Sequence, residues 1–317
     1  MRQYIAVAAY QDEERLWDKH FGMSPIYLVF DYDKRHVRTV ENPYAKADAH
    51  HDDPERIVEL LYDAETFIAK TMGERSRRRL INEFNIETVL VDTDYVADAL
   101  EFYVEARKRV DVFDRCHERY EEWFDKYEPV YLSELEMLKQ VVPKNGRGIE
   151  IGVGSGRFAA PLGIKEGLEP SEEMAKIAKK RGIGVYHGYA EKMPLPSEQY
   201  DFALIAVTIC FVKDPIKTLM ETHRILKDGG KVIVAIVDRN TPIGESYLRK
   251  KQKGLFYRDA NFFSTDEIVD MLKKTGFDVE SIHQTLFGDS IKAIKEIQKP
   301  KEGHGEGGFV AVVGVKR

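Results

Sequence analysis

Cysteine is scarce in this chain: Cys116 and Cys210 are the only two in 317 residues, they lie far apart, and neither belongs to a C-x-x-C pair. A disulfide framework or an all-thiolate metal site is therefore not expected, and the reducing cytoplasm is the expected compartment. Long apolar runs are missing as well. The start, MRQYIAVAAYQDEERL, carries no leader-like apolar segment, and nothing approaches the roughly 18 apolar residues of a membrane span, so no membrane association is expected. A basic excess is also lacking, since 48 Lys and Arg face 54 Asp and Glu, a formal charge of −6. Nucleic-acid surfaces use cations that displace phosphate counterions, so no nucleic-acid partner is expected. The chain shows no internal repeat and no low-complexity tract.

What is present is core material and mixed charge, with 43% hydrophobic and 32% charged residues. A chain of this length exceeds the size at which one core keeps growing, which predicts two domains. Tyr4 to Ala9 reads as a strand, and Pro25 to Phe30 with His36 to Val40 as a hairpin turning at Asp31, Asp33 and Lys34. From Pro54 the apolar spacing becomes helical, Thr66 to Lys70 returns to a strand, and a helix after Gly73 precedes a strand at Glu87 to Val91. A helix from Tyr95 to about Val110 closes this unit, giving expected domains of 1–110 and 111–317. Asp111 to Gln140 reads as helices broken around Pro129. Beyond Pro143, apolar strands and helices alternate, with strands at Gly148 to Ile151, Tyr200 to Val207 and Lys231 to Val237 and helices at Ser171 to Lys180 and Asp214 to Leu226. Such alternation predicts a mostly parallel α/β sheet. A helix at Thr265 to Thr275 and an antiparallel pair, Val279 to Phe287 and Phe309 to Val315, complete the pattern.

The chemistry is concentrated in EIGVGSGRF, where Glu150 ends a strand and Gly152, Gly154 and Gly156 form the turn after it. Glycines there let a ligand approach the backbone at the carboxyl end of a doubly wound sheet, although a tight turn without a ligand would use them too. Glu169, about 20 residues on in GLEPSEEM, stands at the expected end of the next strand, a spacing that suits a carboxylate accepting hydrogen bonds from ribose hydroxyls. The dinucleotide fingerprint G-x-G-x-x-G would need glycine where Arg157 stands, and no Gly-Lys-Ser/Thr follows to make a P-loop.

From about Phe113 to Arg317 the chain resembles the class I methyltransferases that act on small molecules. EIGVGSGRF, GLEPSEEM, GYAEKMPLPSEQYDFALI, TICFVKDP and RILKDGGKVIVAIVD carry the resemblance in the family's order. It implies a Rossmann-like domain with a seven-stranded, mostly parallel sheet, S-adenosylmethionine as cofactor, and a small-molecule methyl acceptor. It also implies that Glu150, Gly152, Gly154, Gly156 and Glu169 hold the donor, with Ala190 and Glu191 flanking its adenine. Tyr189 stands where the family often has aspartate. A sulfonium donor is already activated, so the protein mainly aligns the reactants, and a general base is needed only for a protonated acceptor. Cys210 and Asp238, which follow strands, are the candidates for that base, and packing and turn formation are their structural alternatives. His187, His223 and His283 have no metal-ligand spacing. Tyr120, Trp123, Phe124, Tyr127 and Tyr131 form an aromatic stripe that fits a substrate lid or packing against the sheet. No N-P-P-Y type motif for amino methylation of bases is present.

The first hundred or so residues resemble the dinitrogenase iron-molybdenum cofactor biosynthesis family, on IAVAA, HFGMSPIYLVFD, ENPY, TFIAKTMGERSRRRL and IETVLVD. This implies a ribonuclease-H-like α/β fold and makes His20, His50 and His51 candidate metal ligands, with ordinary structural roles as the alternative. Arg75, Arg78 and Arg79 follow helical spacing after Gly73, as an anion site or a solvated charged face would. The expectation is a methyltransferase with a ligand-binding or regulatory first domain; the other class is a non-catalytic metal-cluster carrier or sensor.

Overall fold

A computed structural model describes residues 3–45 and 54–317. The chain divides into two compact units, Met1–Lys108 and Arg109–Arg317.

The first unit contains β1 (Tyr4–Ala9), β2 (Ile26–Phe30), β3 (His36–Glu41), α1 (Glu55–Leu60), β4 (Ala64–Ala69), α2 (Glu74–Phe84) and β5 (Glu87–Leu90), and α3 (Val96–Arg115) runs from it past residue 108. Its sheet has the order β3-β2-β1-β4-β5. The β1/β2 and β2/β3 pairs are antiparallel, whereas β1/β4 and β4/β5 are parallel. The hairpin turns at Lys34, which takes a φ of 66° and donates its N–H to the Asp31 carbonyl. Ile5 to Ala9 are all fully buried, the signature of a central strand covered on both faces. One face packs Ala6, Ala8, Phe21, Tyr27 and Phe67 against Ile57 and Leu80.

The second unit continues with α4 (His117–Lys126), α5 (Glu128–Val141), β6 (Gly148–Ile151), α6 (Ala159–Leu162), β7 (Glu166–Glu169), α7 (Glu172–Lys180), β8 (Gly184–His187), β9 (Tyr200–Ala206) and α8 (Pro215–Ile225). It ends with β10 (Leu226–Val237), α9 (Pro242–Lys250), α10 (Thr265–Lys274), β11 (Phe277–Thr285), β12 (Lys301–Glu302) and β13 (Phe309–Lys316). The break at Pro129 lies between α4 and α5, where proline in the first turn of α5 loses no helical hydrogen bond. The sheet order is β12-β11-β13-β10-β9-β6-β7-β8. From β10 to β8 neighbours run parallel; β10/β13, β13/β11 and β11/β12 are antiparallel. The expected seven strands are thus corrected to eight in a mixed sheet. The additional strand is Lys301–Glu302, paired to β11 through His283 and Gln284, too short and polar to leave a periodic signal. β8, α6 and α9 were likewise not assigned from apolar spacing.

Alternation sorts the central strands between two cores. Ile149, Ile151, Ala203, Ile205, Val232 and Val234 face one cluster, which Leu219 of α8 and Ile268 and Leu272 of α10 cover. Phe202, Leu204, Ile233, Ala235, Ala311 and Val313 face the other, which Leu135 and Leu138 of α5 cover. Because β6 to β10 run parallel, their carboxyl ends gather the Gly152 turn, Glu169, His187, Val207 and Asp238 along one edge of the sheet. No helix among the described residues is long and apolar enough to cross a membrane.

Candidate active site

The three glycines of the turn after β6 all have left-handed backbone, with φ of 68° at Gly152, 52° at Gly154 and 82° at Gly156. Their surroundings differ. A Cβ on Gly152 would lie 2.2 Å from Thr208 Cγ2, and the Thr208 hydroxyl donates to the Gly152 carbonyl at 3.1 Å. A Cβ on Gly156 would lie 2.4 Å from Ile183 Cδ1, so this glycine serves close packing. At Gly154 a Cβ would meet only Met174 Cε at 3.4 Å and the Tyr120 hydroxyl at 3.8 Å. Gly154 therefore lines a cradle with room beside its backbone, while its neighbours hold the turn in place.

Two buried carboxylates flank that cradle. Glu169, 7% exposed, accepts from the Gly154 N–H through Oε2 at 2.7 Å and from the Ser171 N–H through Oε1 at 2.9 Å. A carboxylate has about four acceptor directions, so each oxygen keeps capacity for a hydroxyl donor. Burial pushes the Glu169 carboxyl up to about 7, against the two backbone donors. Glu150, 1% exposed, takes a backbone bond from Ala159, but its Oε2 is buried with no hydrogen-bond partner. Burial drives its carboxyl well above the usual range, and the Glu169 charge adds to the effect. A buried acceptor without a donor and a carboxylate with spare acceptor capacity fit a ligand carrying an ammonium and hydroxyls.

Helix α4 sits over the turn. Glu121 is clamped by Arg157 and Arg181, Arg181 also donates to the Ser155 carbonyl at 2.6 Å, and the Arg157 guanidinium lies 5.1 Å from the centre of the Phe124 ring. Arg157, the residue that breaks the dinucleotide fingerprint, thus docks the helix. Of the aromatic stripe, Phe124 is buried in the core, Tyr131 donates its hydroxyl to the Arg157 carbonyl at 2.6 Å, and Trp123 and Tyr127 pack beside them. Tyr120 points to the cradle, and its hydroxyl is pushed up by burial and then by the charges of Glu150 and Glu169.

The remaining candidates separate into distinct roles. Ala190 and Tyr189 are buried in the turn after β8. The Glu191 carboxylate accepts from the Lys213 N–H at 2.7 Å and the Asp214 N–H at 3.4 Å, which ties that turn to the start of α8. Asp238 accepts from the Asn240 N–H at 2.9 Å and from the Thr265 hydroxyl at 2.5 Å and N–H at 3.2 Å, so its acceptors fasten β10 to the start of α10. Burial pushes the Cys210 thiol up to about 12, and its Sγ lies 3.4 Å from the Val207 carbonyl, an environment that suppresses the thiolate. His187 ends β8 and pairs with Glu169 at the end of β7 across the parallel β7/β8 ladder. His223 packs edge-on against Phe277, and His283 lies on β11.

Glu134 of α5 was not anticipated. It is 5% exposed, and burial alone pushes its carboxyl up to about 8. The signal was a lone acid at helical spacing from Val130, Tyr131 and Leu138, on a face that is otherwise apolar. In the first unit, His20 lines a pocket with Phe21, Tyr44, Arg56, Met72 and Ser76, and its Nδ1 accepts from the Gly22 N–H at 3.3 Å. His50 and His51 lie outside the described residues, and no group of three metal-ligating side chains occurs among the described ones. Arg78 pairs with Glu74, and Arg79 with Glu83 and Glu55, which makes this a charged helix face.

Residues 149–234 match the methyltransferase domain family, and residues 1–106 match the dinitrogenase iron-molybdenum cofactor family. The chain is similar to the crystal structure of an S-adenosylmethionine-dependent methyltransferase, possible histamine N-methyltransferase, from Thermotoga maritima. The two share 50% identity over 66% of this chain and 100% of that one, with a TM-score of 0.64. An uncharacterized protein of Methanocaldococcus jannaschii is 49% identical over 64% of this chain and 98% of its own length. A demethylmenaquinone methyltransferase of Geobacillus kaustophilus is 30% identical over 34% of this chain and 52% of its own. With 50% identity spanning the whole of one such enzyme, the chain belongs to the S-adenosylmethionine-dependent methyltransferases.

Proposed function

We propose that this chain transfers a methyl group from S-adenosylmethionine to a small-molecule acceptor, with the donor held by Glu150, the Gly152-Gly154-Gly156 turn and Glu169. When bound, the donor supplies a methyl carbon already activated by its sulfonium. In this reading Glu169 accepts the ribose hydroxyls with the capacity its two backbone bonds leave, and Glu150 Oε2 accepts the ammonium of the methionine portion. Ala190 would flank the adenine, and Glu191 would act through the turn it anchors to Lys213 and Asp214. The observation that carries the reading is the left-handed glycine turn bound by the buried Glu169 through Gly154, together with the buried Glu150 just before it, whose Oε2 has no partner. Calorimetric titration of the full chain with S-adenosylmethionine tests it: saturable binding at one site is expected, and absence of binding would sink it.

Residues 1–110 are proposed as a ribonuclease-H-like ligand-binding or regulatory domain and 111–317 as the transferase. The β3-β2-β1-β4-β5 order with its antiparallel first three strands supports the former. The charge of −6 and the two free cysteines favour a small molecule over nucleic acid and a cytoplasmic setting. The match of residues 1–106 favours one second reading, a carrier or sensor of a metal cluster with His20, His50 and His51 as ligands. Metal analysis of anaerobically purified protein beside a methyl-turnover assay separates the two, since stoichiometric metal without turnover would support the carrier.

A further inference from the structure

The core face of α5 holds a carboxylate where apolar packing would cost nothing. Glu134 lies between Val130, Leu135 and Leu138, all buried, and no hydrogen bond or ion pair engages it among the described residues. A buried carboxylate without a partner is destabilising, and replacement by an aliphatic residue would relieve it. Tyr120, Tyr131, Tyr247, Tyr257 and Phe211 pack against the core cluster that contains Val130, Leu135, Leu138 and Phe262, and the Glu134 charge acts on the hydroxyls of the four tyrosines. There Tyr257 lies 5.0 Å from Tyr247, 5.9 Å from Phe211 and 5.7 Å from Phe262 between ring centres, and Tyr247 lies 5.9 Å from Phe262. Tyr120 connects this group to the donor cradle, since its hydroxyl approaches the open side of Gly154 and is also acted on by Glu150 and Glu169.

We propose that Glu134 and the rings of Tyr120, Phe211, Tyr247, Tyr257 and Phe262 form the methyl-acceptor site, and that it takes a small primary or secondary amine through its ammonium. This rests on the donor-site reading above. Burial keeps the Glu134 carboxyl at about 8 in the free site. An ammonium entering among the aromatic faces stabilises its ionised form while the rings attract the cation, whereas a carboxylic acid or an alcohol brings no cation to do either. The same carboxylate handles the proton. An ammonium has no lone pair with which to attack, so the acceptor nitrogen gives one proton to Glu134. Its freed pair then forms the N–C bond to the methyl carbon as the C–S bond breaks and that electron pair stays on sulfur. The products are the methylated ammonium, S-adenosylhomocysteine and protonated Glu134, and the charge balances. A carboxyl held at about 8 by burial is a far stronger base than an exposed glutamate, close enough to an alkylammonium to exchange a proton with it.

The test uses the full chain, radiolabelled S-adenosylmethionine, and matched acceptors such as 2-phenylethylamine, 2-phenylethanol, 2-phenylethanethiol and phenylacetic acid, with imidazole-bearing and aliphatic amines added. Amines are expected to be methylated at least about 100-fold faster than their matched partners, and Glu134→Gln to lower kcat/KM for the amine by about 100-fold. Calorimetry with S-adenosylhomocysteine is expected to give affinities within about threefold for the two proteins. That binding measurement stands apart from acceptor choice: a chain that does not bind S-adenosylhomocysteine fails as a methyltransferase, whereas one that binds it and methylates no amine, or prefers the alcohol, thiol or acid, overturns the amine site alone. Retained amine turnover in Glu134→Gln also overturns it. Should that variant lose S-adenosylhomocysteine binding through misfolding, the wild-type preference between matched amines and alcohols decides.

Discussion

The donor cradle and the aromatic acceptor pocket are built from different material. The cradle draws on twenty consecutive residues, Glu150 to Glu169, and two of its contacts are backbone N–H groups held by a carboxylate. The pocket gathers side chains from α4, α5, the segment after β9, α9 and the stretch around Tyr257. A backbone cradle tolerates little change of residue type, because all three glycines have a φ above +50° and a Cβ at Gly152 or Gly156 would come within 2.2–2.4 Å of a neighbour. A side-chain pocket can be refitted to another acceptor by altering one ring or one charge at a time, while the donor remains the same. This difference explains how one fold can keep its donor and change its substrate.

The sharpest break in the comparison is within the cradle itself. Gly156→Val places a β-branched side chain at a φ of 82° and 2.4 Å from Ile183 Cδ1, so a loss of about 3 kcal/mol or more in urea unfolding is expected. Gly154→Ala meets nothing closer than 3.4 Å and is expected to cost only about 1 kcal/mol, while donor affinity falls at least tenfold by calorimetry. Equal stability losses for the two would mean that the cradle is not open at Gly154.

Glu169→Gln is expected to weaken S-adenosylmethionine binding by about 10- to 100-fold, since hydrogen bonds to a charged acceptor are lost. The pH dependence follows from the same group. Its carboxyl sits at about 7, ribose hydroxyls donate to the ionised form, and a cationic donor favours that form as well. Donor binding therefore releases the proton, and affinity rises between about pH 6 and 8 and flattens above, a slope that Glu169→Gln removes. An identical slope in the variant would mean that Glu169 does not carry the pH dependence.

Glu121→Gln tests the docking of α4 over both halves. The Glu121, Arg157 and Arg181 side chains are 19%, 21% and 28% exposed, so a loss of about 1 kcal/mol is expected, read as a Tm lower by a few degrees. The smallest effect is expected for Cys210→Ala: a thiol held at about 12 supplies no base, and methyl turnover should stay within about threefold of wild type. A hundredfold loss there would move the base from Glu134 to Cys210.

Alternation of apolar strands and helices gave the α/β class, and the family's motif order pointed to the methyltransferase sheet before any geometry was known, because parallel strands buried on both faces must be continuous apolar runs. β8, with a half-exposed surface, and β12, with two residues, have no such run, so their pairing is decided by neighbours rather than by local pattern. The left-handed glycine turn and the carboxylate of Glu169 that binds it were legible for a similar reason, since both are set by residue types at fixed spacing along one strand-turn-strand segment. Asp238 was ambiguous in sequence, because a post-strand aspartate can face a ligand or a helix start, and only the fold brings Thr265 within 2.5 Å of it.

The sequence by itself determined the donor: glycines at left-handed positions and an acid one strand later are constraints of the local chain, written in residue identity. Only the tertiary structure decided which glycine has room for a Cβ, which acids are already spent on backbone donors, and that Glu134 is buried on the helix face whose apolar residues pack with Tyr247 and Tyr257. The last depends on elements more than a hundred residues apart packing into one core, and burial rather than residue type is what turns an ordinary glutamate into a base.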